Sequence, residues 1–61
     1  MFINLNASKP NGDFMITSSA VLQDMHPTAT MAEITEMLIA IGDEYEAKGY
    51  QLSYTFDEEL S

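Results

Sequence analysis

The stretch TMAEITEMLIAIGDEYEAKG, Thr30 to Gly49, is the only long periodic segment in this sequence, and any fold must be built around it. Met31, Ile34, Met37, Leu38, Ile41 and Tyr45 recur at three- and four-residue steps, which places them in one stripe of an α-helix. The ends are marked as well. Thr30 with Glu33 three residues later fits a capping box, in which each side chain satisfies an N–H of the first turn. Gly49 suits the left-handed residue that closes a helix, and Lys48 sits favourably at the negative end of its dipole. The spacing predicts a helix over residues 30–48 whose apolar stripe is the core face.

The other side of that helix holds Glu33, Glu36, Ala40, Asp43, Glu44 and Ala47. Its acids have no basic neighbour among them, and like charges at this spacing weaken a helix slightly. Solubility explains such a face, and so does a basic partner. Between the two faces lie Thr35, Ile39, Gly42 and Glu46. A glycine inside a helix costs about 1 kcal/mol relative to alanine, so Gly42 marks a close approach by another backbone, from this chain or from a second copy.

Strands are expected on both sides of the helix. Phe2 to Ala7 alternates, with Ile3, Leu5 and Ala7 on one side and Phe2, Asn4 and Asn6 on the other. Lys9-Pro10-Asn11-Gly12-Asp13 is a turn, and Asp13 to about Ser19 is the return strand. Two registers compete at this turn. A two-residue Asn11-Gly12 loop puts Phe14, Ile16 and Ala20 beside Ile3, Leu5 and Ala7. A Pro10-Asn11-Gly12 turn with a bulge at Gly12 puts Met15, Thr17 and Ser19 there instead. One residue of slip exchanges the faces. The hydrophobic pattern selects the two-residue loop. After Gly49, Tyr50, Leu52, Tyr54 and Phe56 alternate with Gln51, Ser53 and Thr55, the clearest strand in the chain, with the apolar set expected inward. Residues 20–29 are ambiguous: Ala20, Val21, Leu22 and Met25 either extend the second strand or form a short helical turn over one end of the core, before Pro27 breaks regularity.

The order is therefore ββαβ. A hairpin followed by a helical return fits an α+β domain, a three-stranded antiparallel sheet of order 2-1-3 covered on one face by the single helix. Residues 1–61 form one domain, with 57–61 expected to be a frayed acidic tail. A chain of 61 residues hides only about 60% of its unfolded surface, and with no cysteine no disulfide supports it. The apolar fraction of 46% in so short a chain points to self-association. A homodimer is expected, with Phe2, Thr35, Ile39 and Gly42 as its contacts.

Charge narrows the function. Ten acids against Lys9 and Lys48, with no arginine, leave a net charge of −8. Direct nucleic-acid binding needs Lys and Arg to displace counterions, and anionic membranes are disfavoured for the same reason. No apolar run approaches the length of a membrane span. The N-terminal MFINLNASKPNG lacks the regions of a signal peptide, so the expected location is cytoplasmic. The lone His26 has no partner pattern, no phosphate loop or nucleophile elbow is present, and the acid runs lack calcium-loop spacing. No catalytic residue, cofactor or metal is expected. The leading expectation is a small acidic protein–protein interaction module that docks a basic protein surface through Glu33, Glu36, Asp43 and Glu44. Its sharpest form is mimicry of nucleic acid, a device of many small phage-encoded inhibitors, an analogy resting on size and charge alone. The alternative is a homo-oligomeric structural or accessory protein whose acidity only confers solubility.

Overall fold

A computed structural model describes residues 2–57. The elements are β1 (Phe2–Ser8), β2 (Phe14–Ser18), α1 (Ser19–Met25), α2 (Met31–Ala47) and β3 (Gln51–Asp57). The strands form an open antiparallel sheet of order β2-β1-β3. Both helices pack on the same face of it, α2 over β1 and β3, and α1 against β1, β2 and α2. β3 runs through Asp57, and the rest of the expected acidic tail lies outside the described residues.

The hairpin register corrects the sequence expectation. Leu5 pairs with Thr17 and Ala7 with Met15, so Met15 and Thr17 share the helix side with Ile3, Leu5 and Ala7. Phe14 and Ile16 point to the open face and are 70% and 66% exposed. The cause is Pro10. A two-residue loop would make Pro10 and Asp13 the closing pair, and proline has no N–H to give. Lys9 takes that place instead, its N–H donating to the Asp13 carbonyl at 2.8 Å, while Gly12 N–H reaches the Lys9 carbonyl at 3.0 Å. Gly12 adopts φ +99°, the bulge conformation that glycine tolerates. Asn11 Oδ1 accepts from the Asp13 N–H at 3.0 Å and pins the turn.

The ambiguous stretch after β2 is helical. Ser18 caps α1, its hydroxyl accepting from Val21 N–H at 3.2 Å. The next residue, Ser19, is buried and its hydroxyl accepts the Ile3 N–H at 2.9 Å. That side chain continues the β1–β2 ladder for one step after the backbone has turned away into the helix. Gln23 ties down the following loop, donating to the His26 and Ala29 carbonyls.

The α2 caps follow their sequence signals. Thr30 Oγ1 accepts from Glu33 N–H at 3.2 Å, and Glu33 Oε1 accepts from Thr30 N–H at 2.9 Å. The Thr30 backbone N–H, and then its hydroxyl, hold the Glu33 carboxyl below its ordinary 4.5. A depressed folded value means that this contribution is complete above the unfolded carboxyl pKa and disappears as pH falls through the lower folded one. At the other end Gly49, φ +95°, donates to Glu46 and Tyr50 donates to Tyr45. This pair of bonds is the Schellman motif, and its usual apolar contact is made by Tyr45 and Tyr50, edge to face at 5.0 Å.

Among the described residues the buried apolar core is Leu5, Ala7, Leu22, Ile34 and Leu38. Ile3, Met15, Ala29, Met37, Ile41 and Leu52 pack around it, partly buried. The core line of α2 is thus Ile34, Leu38 and Gly42, while Met31, at the end of the predicted stripe, is exposed.

Candidate protein-docking surface

Glu33, Glu36, Asp43 and Glu44 are all exposed. At 1.5 Å rise per residue, Glu33 to Glu44 spans about 16 Å of α2. Glu44 is joined loosely to Lys48, 3.8 Å away and open to solvent. Among the described residues Glu36 and Asp43 have no ion-pair partner. The two cations are gathered at one end of the molecule, each over an aromatic face: Lys9 lies 4.8 Å from the Tyr50 ring centre, and Lys48 lies 5.2 Å from that of Tyr45. Positive charge is therefore drawn to the β1–β2 turn and the C-terminal end of α2, leaving the rest of the α2 ridge anionic.

Beside this ridge lies a feature that the helical pattern does not announce. A groove of about 580 Å³ opens between α2 and β3, with Ile39, Leu52, Tyr54 and Phe56 among its apolar walls and Asp43 and Glu46 along its helix side. Ile39 is 49% exposed, Tyr54 40% and Phe56 63%. Tyr54 and Phe56 face the helix side, opposite Leu5 and Ile3, as alternation predicts. They are not sealed there, because α2 does not extend over the outer side of β3. A second groove of about 420 Å³, between β2 and α2, includes Lys48 in its wall. The β3 groove has acids and no base among its lining residues.

The proposed contact residues divide accordingly. Thr35 and Ile39 line the β3 groove with Asp43. Phe2 alternates with Ile3 and belongs to the open face of the sheet, so it does not join them. Gly42 is buried, and what approaches it is not another backbone but the side chains of Tyr54 and Leu52 of the same chain. A Cβ at this position would overlap the Tyr54 hydroxyl and sit 3.3 Å from Leu52 Cδ1. Gly42→Ala should therefore gain helix propensity and displace the Tyr54 ring. Much of the gain of about 1 kcal/mol is expected only in a Tyr54→Ala background, the Leu52 side chain still having to shift slightly. A double-mutant cycle by urea denaturation reads the difference as coupling between the two positions.

Comparison with known protein families, curated proteins and solved structures finds no match. Function must be argued from this surface. Among the described residues no group of three or more His, Asp or Glu side chains is placed to hold a metal ion. His26 is exposed at the end of α1, where its backbone N–H donates to Leu22 and its carbonyl accepts from Ala29 and Gln23. No helix among the described residues is long and apolar enough to cross a membrane. The chemistry on display is carboxylate and hydrocarbon.

Proposed function

We propose that this protein is a small acidic interaction module that docks a basic surface of a partner protein, and that occlusion of a nucleic-acid-binding site is one form such docking takes. The observation that carries the reading is the segregation of charge. Among the described residues Glu36 and Asp43 stand on the exposed side of α2 with no ion-pair partner, while both lysines are held over tyrosines at one end of the molecule. An anionic ridge of this kind speeds encounter with a cationic surface and disfavours other partners.

The test is capture of a partner from lysate of the source cells at low and high salt, with the wild-type chain and with a variant carrying Glu36→Lys and Asp43→Lys. Wild-type capture should fall steeply with salt, and the variant should lose about tenfold or more in retained partner. Capture by both chains alike, independent of salt, would remove the reading.

A second reading, self-association, is favoured by Phe14 and Ile16, whose exposure leaves apolar surface on the uncovered face of the sheet. Sedimentation of the wild type and of a Phe14→Ser, Ile16→Thr variant separates the two. A self-associating protein becomes a monomer in the variant, whereas docking of a basic partner is unaffected.

A further inference from the structure

β3 is an edge strand, and its outward backbone groups can be assigned. Ile3 directs its N–H toward the β2 side, where Ser19 receives it. By alternation Phe2, Asn4, Asn6 and Ser8 direct theirs toward β3. Their opposite numbers are Asp57, Thr55, Ser53 and Gln51, which must point inward to bond them. The N–H and C=O groups of Leu52, Tyr54 and Phe56 therefore point outward, to an edge that no strand pairs with among the described residues. The side chains of these same three residues line the groove. An incoming strand would thus meet backbone bonds and side-chain pockets together.

The groove is also graded. Because α2 returns into β3 through a short loop, Glu46 and Asp43 lie toward the Leu52 end, and Ile39 and Thr35 toward the Phe56 end. We infer that this groove and the free β3 edge take an extended segment of a basic partner protein, added as a further antiparallel strand, with apolar side chains over Phe56 and Ile39 and a Lys or Arg against Asp43 and Glu46. The inference rests on the docking function proposed above and specifies its mode, strand addition. Charge complementarity selects the occupant. A second copy would bring another acidic groove rim, and among the described residues its two lysines already lie over tyrosines.

The geometry sets the pattern. In an antiparallel strand, residues opposite Phe56, Tyr54 and Leu52 face the groove, and those between them face the polar side with Ser53 and Thr55. The probe is the capped peptide acetyl-TITVTRT-amide, whose isoleucine, valine and arginine take those three places. Titrated into the isotope-labelled full chain, it should shift the amides of Leu52, Tyr54 and Phe56 and slow their exchange. N-methylation of the peptide's valine removes one edge bond and should weaken binding about tenfold. In an Asp43→Asn, Glu46→Gln variant, the preference for arginine over glutamine in the peptide should vanish while the apolar contacts remain.

Binding that ignores N-methylation overturns the inference. So do shifts confined to the Glu33–Glu36 flank, although the ridge reading would then stand. Absence of peptide binding overturns it too, and partner capture then judges the ridge alone. Slow exchange of the three amides before any peptide is added assigns the edge to a second copy and likewise overturns it. Phe56→Ser, at a residue mostly open to solvent, should abolish peptide binding with little loss of fold and guards against misreading an unfolded variant.

Discussion

Leu38→Ala is expected to remove a large share of the protein's stability at 25 °C. Leu38 is 1% exposed and belongs to a core of five apolar residues among those described. Emptying such a site costs about 2–5 kcal/mol, the lost transfer energy plus a cavity that neighbours fill only in part. A chain of 61 residues has about 3–9 kcal/mol of total stability at the usual value per residue. One leucine is then about half of the whole. Ile39→Ala, one position along but half in solvent, should cost about 1 kcal/mol or less. Urea denaturation followed by circular dichroism decides it. A Leu38→Ala midpoint within error of wild type would mean that α2 does not sit on the sheet as described.

The contrast between those neighbours shows what a periodic pattern can and cannot convey. The Thr30–Glu33 box and Gly49 bound α2 correctly because caps are local: the atoms that bond lie within a few residues of one another. Strand order was legible for a related reason, since a hairpin followed by a helical return leaves few short connections. The hairpin register was not read correctly. Apolar pattern favoured Phe14 and Ile16 inside, yet a missing N–H at Pro10 outweighed two large side chains. A closing pair without its donor fails at once, whereas exposed Phe14 and Ile16 cost only part of their burial. α1 is ambiguous in the sequence because Val21, Leu22 and Met25 suit strand or helix alike. Ser18 was the available signal, a capping hydroxyl just before the run.

The site divides the same way. Exposure of Glu33, Glu36, Asp43 and Glu44 follows from helical period and needs no tertiary information. The groove beside them does need it. Alternation tells which side of β3 Tyr54 and Phe56 occupy but not how far the covering helix reaches. A helix is about 10 Å across, and outer strands of a three-stranded sheet are separated by about the same distance. One helix whose core line lies on Ile34 and Leu38 cannot seal both flanks. The apolar surplus at Phe56 is a consequence of that width, and Gly42 is where the seal is closest, with Tyr54 laid against the bare backbone.

Ser19→Ala should lower stability by about 1–3 kcal/mol, more than its small change in volume suggests. The hydroxyl is 2% exposed as part of a buried residue, and it accepts the Ile3 N–H at 2.9 Å. Removing it leaves a part-buried backbone donor with nothing to meet, and alanine supplies no acceptor in exchange. The alternative, that Ser19 matters only as a small residue at the start of α1, predicts the opposite sign, because alanine favours helix over serine. Hydrogen exchange separates the two beyond the overall stability. The Ile3 amide should exchange faster than global unfolding requires, while Leu5, held in the regular β1–β2 ladder opposite Thr17, should change only in step with it. If both amides move together and stability rises, the bond from β1 into the first turn of α1 contributes nothing. The joint between hairpin and helices would then rest on Leu5 and Leu22 alone.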